Sequence, residues 1–183
     1  FTMISMLGFA QKNKGAAEKP WEEASSPKAT AYEQGKSGTV ILKVGPIDGK
    51  DANIMKKKAG AVALHELMVR GYSAKGNIPP QPKFLPGGAS DWDKDVEFFT
   101  KYCMPGGNGH NYINETKPLG ELSKMKKLLT GDMLVEINIM ELRKDLEASG
   151  KIKGMADFLF KPSVLVVPSK QWMKDNGFHQ MVN

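Results

Sequence analysis

Apolar residues between Asp48 and Gly71 recur with the period of an α-helix. At about 100° per residue, one broad face collects these apolar side chains: Ile54, Met55, Ala61, Val62, Leu64, Met68 and Val69. The opposite face collects polar ones: Lys56, Glu66 and Arg70. Asp48 or Asp51 can accept the free backbone N–H groups of the first turn, and Gly71 suits the left-handed position that closes the last one. The pattern predicts a long amphipathic helix.

Two β-branched runs predict short strands. Thr39–Val44 (TVILKV) is bounded by glycines, and Ser163–Val167 (SVLVV) is a second apolar run that can pair with it. Residues 72–89 contain four prolines, which remove backbone donors and force extended neighbours. We therefore expect a long loop there, of the kind that forms a lid or a contact segment.

Three further segments have helical spacing. A helix beginning at Ser90 carries an inner face of four residues: Trp92, Val96, Phe99 and Cys103. A helix from Pro118 to Gly131 carries an apolar stripe of four more: Leu119, Leu122, Met125 and Leu129. Asp132–Ala148 predicts another helix, although its front half, MLVEINI, also alternates like a strand.

Together these elements predict an α+β fold: a small helical core of about four helices, one or two short strands, and long irregular arms and loops. A chain of 183 residues is typical of one domain. We place that domain at residues 38–168, after an extended N-terminal arm (1–37) and before a C-terminal tail (169–183). The arm between residues 11 and 37 is polar and lacks the period of a helix or a strand.

Large aromatic side chains stand in the arm and the tail without local apolar neighbours. They are Trp21, Tyr32, Trp172 and Phe178. Aromatic residues of this kind commonly anchor protein interfaces by filling pockets of the partner. We predict that these four are partner anchors.

Charge and cysteine content narrow the class of protein. The net charge of +6 favours an acidic partner, but the lysine clusters are short and scattered rather than gathered in the stripe typical of nucleic-acid modules. A single cysteine excludes an internal disulfide.

No apolar run approaches the roughly 18 residues of a spanning helix. The apolar residues 1–10 are too short to span a bilayer and could lie on a membrane surface.

Catalytic motifs are missing from the sequence. Gly35-Lys36-Ser37 resembles the end of a phosphate-binding loop, but the strand follows it instead of preceding it. The histidines and the cysteine lack zinc-ligand spacing, and Cys103 has no adjacent cation to lower its pKa. His110 lies in a glycine- and asparagine-rich segment typical of a polar turn. The sequence therefore predicts that the protein is not an enzyme.

His65 is the one candidate cofactor ligand. It lies near the middle of the apolar face of the long helix, where an imidazole could bind the magnesium of a chlorophyll or the iron of a haem. The alternatives are a core histidine bonded to a backbone carbonyl and a histidine at a protein interface. Chlorophyll is the candidate cofactor, and no metal site is predicted.

The chain begins with Phe1, in FTMISMLGFA. This start resembles mature plastid proteins of the red-algal lineage, whose transit peptides are cut just before a phenylalanine. The loop-rich basic chain is similar in kind to nucleus-encoded accessory or linker subunits of their photosystem–antenna complexes. The resemblance implies a thylakoid-associated plastid protein that bridges photosystem and light-harvesting antenna subunits. A mitochondrial location is the alternative.

The aromatic residues without local cover and the proline-rich loops suit a chain that wraps a larger organellar assembly. We therefore expect a non-catalytic linker subunit. The alternative is an organellar ribosomal protein that binds rRNA through its arms and loops. The 20 acidic residues set against 26 basic ones argue mildly against that alternative.

Overall fold

A computed structural model of the chain describes residues 19–23, 27–36 and 38–153. The chain divides into two compact units, residues 1–144 and 145–183. The strands are β1 (Lys28–Gln34), β2 (Thr39–Gly49), β3 (Gly71–Tyr72), β4 (Gln81–Pro82), β5 (Ile113–Pro118), β6 (Ser123–Met125) and β7 (Leu128–Asn138). The helices are α1 (Ala52–Val69), α2 (Ala89–Lys94), α3 (Val96–Cys103) and α4 (Ile139–Ala148), with 3-10 turns at Pro20–Glu22 and Asn108–Tyr112.

An antiparallel sheet in the order β1-β2-β7-β5 forms one layer of the first unit, and β6 pairs with the start of β7. The predicted strand Thr39–Val44 is confirmed and extends to Gly49. Buried apolar residues face each other across its centre, as in Leu42 opposite Val135. Since β1 and β7 occupy both edges of Thr39–Val44, no edge there is free for the predicted pairing with Ser163–Val167. Residues 163–167 themselves lie outside the described part of the chain.

Helix α1 packs against β2 and β7 on one side and against α3 and the Pro20–Glu22 turn on the other. Its predicted ends are confirmed. Asp51 Oδ1 accepts the backbone N–H of Ile54 at 2.9 Å, and Gly71 adopts the left-handed conformation at φ 68°. Glu66 was predicted to lie on the polar face, and this prediction is wrong because Glu66 is buried, at 5% exposed. Because α1 is covered on two sides, it buries nearly its whole circumference from Ala59 onward.

The α+β class is confirmed, but the expectation of a small helical core with one or two short strands is not. The first unit is built on a sheet, with α1 as its central helix. Residues 118–131, predicted as a helix, form the end of β5, β6 and the start of β7. Residues 132–138 continue β7, as their alternation allowed, and the helix begins only at Ile139. In both segments, pairing between strands prevails over local helical spacing.

The predicted arm contains a strand, so the expectation of irregular structure through residue 37 is wrong for Lys28–Gln34. The alternating residues Ala29 and Ala31 face inward. Lys, Ala, Glu and Gln are weak strand formers, and this strand is held by its pairing with β2.

The predicted helix beginning at Ser90 is two helices, α2 and α3. Asp95 lies between them with a non-helical backbone (φ −143°, ψ 49°). Trp92, Phe99 and Cys103 are buried as expected, whereas Val96 is 42% exposed. The break at Asp95 changes the phase of the helical period, which explains the outward position of Val96. Within the described ranges, no helix is long and apolar enough to cross a membrane.

We expect Gly71→Ala to lower the free energy of unfolding by about 3 kcal/mol, the sum of left-handed backbone strain and overpacking. An added Cβ at Gly71 would lie 2.6 Å from Lys83 N and 2.8 Å from Pro82 C. Gly76 is the matched control, since its φ is also positive (56°) but its Cβ would meet nothing within 4 Å. Gly76→Ala should therefore cost about 1 kcal/mol, from backbone strain alone. Urea unfolding of both variants measures the difference, and equal losses would contradict the packing described for Gly71.

Candidate functional site

A cleft of about 950 Å³ lies between β1 and the β3–β4 hairpin. One wall is formed by four consecutive residues, Lys28 to Ala31. Successive residues of a strand face opposite sides of the sheet, so a cleft that borders four in a row runs along the strand's edge. β1 pairs only with β2 among the described strands, which leaves its other edge towards the cleft. The backbone N–H and C=O groups on that edge are the groups that a further strand would bind.

The opposite wall comes from the end of α1 and from the chain that follows it. Gly71 turns the chain out of the helix into β3, which pairs with β4 through Gly71–Pro82 and Tyr72–Gln81. An isolated bridge between Lys75 and Ile78 closes the turn that connects them. Pro82 has no backbone N–H to donate, and it therefore limits strand pairing in this short hairpin. The cleft is therefore bounded by one regular strand and one short, proline-containing hairpin.

Basic side chains predominate around the cleft. Lys28 and Lys75 are exposed, and the Arg70 side chain is 58% exposed. Glu66 is the one carboxylate among the lining residues, and it is buried. Arg70 Nη1 lies 3.1 Å and 3.2 Å from the two Glu66 carboxylate oxygens, so this negative charge is already paired. The cleft thus presents a positive rim.

An aromatic cluster formed by Trp21, His65, Trp92 and Phe99 lies next to the cleft. Glu66 lines the cleft and lies beside the His65 ring of this cluster. The Trp21 ring stacks on the His65 imidazole with centroids 4.9 Å apart and an interplanar angle of 4°. Trp92 meets the imidazole edge-on at 4.8 Å and stacks on Phe99 at 5.4 Å. An ion pair between Lys58 and Glu23 also holds the end of the Pro20–Glu22 turn against α1. The cluster holds the segment before β1 on the surface of α1.

The Trp21 and Trp92 rings pack against the His65 imidazole and hold it in position. Its side chain is 14% exposed, and its Nδ1 is buried without a hydrogen-bond partner in the described part of the chain. The nearest carboxylate oxygen, Glu66 Oε1, is 3.7 Å from Nδ1, which is too long for a hydrogen bond. The expected bond to a backbone carbonyl is therefore not made by this nitrogen. The role of chlorophyll ligand stays a prediction, and Nδ1 is the ring atom that still lacks a partner.

The predicted partner anchors lie in different surroundings. Trp21 packs on His65 and Trp92 of its own chain. Tyr32 is 37% exposed, with Lys75 Nζ 5.4 Å from its ring centroid. Trp172 and Phe178 lie outside the described residues. Binding of partners by any of the four stays a prediction.

Other candidate chemical groups are engaged in packing. Cys103 is fully buried, and this burial raises the pKa of its thiol far above the ordinary value. His110 donates its Nε2–H to the Cys103 carbonyl at 3.0 Å. Burial lowers the pKa of His110, and the bond to that carbonyl partly opposes the shift. Over residues 19–23, 27–36 and 38–153, no three His, Cys, Asp or Glu side chains gather in a way that could hold a metal ion.

The sequence did not predict the cleft, because it did not predict β1. The outward residues Lys28, Thr30 and Tyr32 alternate with two buried alanines. That alternation is the pattern that could have identified the strand. No family model, no curated protein and no solved structure matches this chain.

We expect His65→Phe to raise the free energy of unfolding by about 1 kcal/mol, because a phenyl ring keeps the stack on Trp21 and removes a buried nitrogen without a partner. His65→Ala should lower it by about 2 kcal/mol through loss of packing. His110→Phe is the control, since it leaves the Cys103 carbonyl without its donor and should be destabilising. Denaturant unfolding measures all three. A destabilised His65→Phe variant would show that the imidazole makes a polar contact, such as one to a bound pigment.

Proposed function

We propose that this chain is a non-catalytic accessory subunit that binds an extended, acidic segment of a neighbouring protein along the edge of β1. The observation that carries the proposal is the position of this edge. Four consecutive residues, Lys28 to Ala31, border a cleft of about 950 Å³ that no described element fills. Its function would be to hold an assembly together.

Strand addition fits the dimensions and the chemistry of the cleft. An extended peptide gains affinity from main-chain hydrogen bonds to an open strand edge and gains specificity from pockets for alternate side chains. The cleft, of about 950 Å³, borders four consecutive residues of the strand, which is the arrangement that an extended segment requires. The Tyr72 and Gln81 side chains on the opposite wall offer apolar and polar contacts to the bound segment.

The charge around the cleft favours an acidic segment. Lys28 and Lys75 border it, while the charges of Arg70 and of the buried Glu66 carboxylate offset one another. Exposed basic groups at a rim contribute chiefly to the rate of association and to the choice of partner. Binding should therefore weaken as salt concentration rises.

The other edge of the sheet is less suited to strand addition. On β5, Glu115 and Lys117 form an exposed ion pair at 2.8 Å, and the strand ends at Pro118. Charged side chains and proline at an edge are features that block pairing with another chain. β1 also carries an exposed lysine and a bulge between Ala31 and Glu33, so the feature that distinguishes it from β5 is the cleft along its edge.

The surroundings of the reactive side chains support a non-catalytic role. The Cys103 thiol is buried and its pKa is raised, so little of it is present as the reactive thiolate. The His110 ring is bonded to a backbone carbonyl, and the His65 ring is enclosed by Trp21 and Trp92. Each group serves packing in the described structure.

The setting of this assembly stays a prediction. A plastid photosystem with its light-harvesting antenna is the predicted setting, and an organellar ribosome is the alternative. The two differ in what the particle absorbs, because one contains chlorophyll and the other contains RNA. The same experiment can therefore test the binding edge and identify the setting.

We expect a tagged wild-type chain, expressed in its native cells, to fractionate with a particle much larger than its own 20.1 kDa. Lys28→Glu/Lys75→Glu should shift most of the chain to the free pool, because the acidic segment would meet negative charge on both walls of the cleft. Lys56→Glu/Lys57→Glu is the matched control, since it makes the same charge change on an exposed part of α1. Native size fractionation with an absorption spectrum of the particle is the measurement.

Chlorophyll bands in the particle would support the photosystem setting, and nucleic-acid absorbance would support the ribosome. Equal release of both double variants would overturn binding at β1, because general charge would then account for the association. A free monomer that turns over a small molecule would overturn the accessory role altogether.

A further inference from the structure

The β6–β7 hairpin projects from the sheet at the end where β2 gives way to α1. Met125 pairs directly with Leu128, and Lys126 and Lys127 form the turn between them. The same strand, β7, pairs with the last residues of β2 through Leu129–Gly49. The hairpin tip therefore lies beside the N-terminal end of α1, away from the cleft at its C-terminal end.

The tip exposes two apolar side chains next to one another. Met125 is 67% exposed and Leu128 is 42% exposed. In an antiparallel pair, directly opposed side chains lie on the same face of the strands. Met125 and Leu128 thus form one continuous apolar surface at the end of a two-residue turn.

Lysines lie next to this apolar pair along the chain, at positions 124, 126 and 127. A surface depression of about 520 Å³ beside the hairpin is lined by Lys50, Lys124, Lys126 and Lys127. The one acidic residue that lines it, Asp51, has its carboxylate engaged at the N-cap of α1. Asp51 keeps its negative charge at the N-cap, so the depression presents four lysines against one carboxylate and is positively charged overall.

The turn places a lysine in a backbone conformation that has a local cost. Lys126 has φ 57°, and it is the one non-glycine residue with positive φ in the part of the chain that the structure describes. Glycine or asparagine is the usual choice at such a position, because a Cβ strains the left-handed conformation. Strain of this kind is often found where a side chain serves a function.

We propose that the β6–β7 hairpin attaches the protein to the surface of an anionic lipid bilayer. Met125 and Leu128 insert at the level of the headgroups, and the surrounding lysines bind lipid phosphates. This combination of a small apolar tip with several basic residues is the chemistry that holds peripheral proteins on anionic membranes. A nucleic acid would use the lysines for its phosphates but would leave Met125 and Leu128 exposed to water, whereas a bilayer accommodates both.

This attachment is independent of strand binding at β1. The hairpin and the cleft share no lining residue. Loss of strand binding at β1 should leave membrane attachment intact, and loss of membrane attachment should leave strand binding intact. Each proposal can therefore be overturned without the other.

The first test is partition of the full chain onto vesicles of phosphatidylcholine containing phosphatidylglycerol, compared with phosphatidylcholine alone. We expect binding to the anionic vesicles only. Lys124→Gln/Lys126→Gln/Lys127→Gln should lower the partition coefficient about 100-fold, since each lysine near the surface contributes about a factor of 5. Lys36→Gln/Lys83→Gln/Lys101→Gln removes the same charge at exposed positions away from the hairpin and should change it less than about threefold.

The apolar contribution is tested by Met125→Ser/Leu128→Ser, which should lower the partition coefficient about tenfold. Val96→Ser/Met140→Ser is the matched control, because both residues are exposed and apolar but lie away from the hairpin. Circular dichroism of each variant confirms that the fold is retained. Equal losses in the hairpin variants and in their controls would overturn the proposal.

A second measurement locates the contact directly. Leu128→Cys can be labelled with an environment-sensitive fluorophore, because the native Cys103 is buried. The emission should shift to the blue with anionic vesicles, and a label at Val96→Cys should show no shift. Binding without a shift at residue 128 would assign membrane contact to another segment and overturn the proposal. Hairpin-dependent binding to RNA or to an acidic protein, without binding to anionic vesicles, would also overturn it.

Discussion

The burial of α1 is the constraint on which the rest of the first unit depends. From Ala59 to Met68 this helix is apolar on nearly every side, and only His65 in that stretch is partly exposed. A helix of this kind must be covered by more than one layer, because each exposed apolar face would be in contact with water. The sheet covers one side, and α2, α3 and the Pro20–Glu22 turn contribute to the other. The aromatic cluster is therefore part of a cover that the helix requires.

The end of α1 explains why a cleft lies beside β1. Glu66 is drawn into the interior by the helix and needs a counterion, which Arg70 supplies from the following turn. Gly71 then lets the chain leave in a left-handed conformation towards β3. Because the chain is directed into a short hairpin instead of a sixth strand of the main sheet, the edge of β1 stays uncovered by the described elements. One buried carboxylate and one glycine thus account for the position of the site.

Much of this arrangement could be predicted from local pattern, and the failures share a physical cause. The ends of α1 and the strand Thr39–Val44 follow from capping chemistry and from β-branched residues, which act over a few neighbours. The strand Lys28–Gln34 depends on pairing with β2, and its residues have weak preferences of their own. The stripe from Leu119 to Leu129 satisfies helical spacing by coincidence, while long-range pairing with β7 decides the structure.

The candidate site was harder to predict than the fold for the same reason. His65 was identified from its position on the helix, but its contacts with Trp21 and Trp92 come from segments distant in sequence. Lys28 and Lys75 lie on opposite sides of the cleft, and they come together only because β1 and the hairpin after α1 are neighbours in space. A local pattern can indicate that a residue is exposed. It does not indicate which other exposed residue it will face.

The two proposed surfaces lie at opposite ends of α1, and this separation has a mechanical consequence. The cleft includes Arg70 and Gly71, whereas the depression beside the hairpin includes Asp51 and Ala52. With 18 residues at about 1.5 Å each, the helix holds these ends about 27 Å apart. That spacing exceeds the reach of any side chain, so a bilayer surface and a partner's strand can be bound at the same time. Because the helix is buried from Ala59 onward, it holds the two proposed surfaces at a fixed separation, as a link between a bilayer and a partner protein would require.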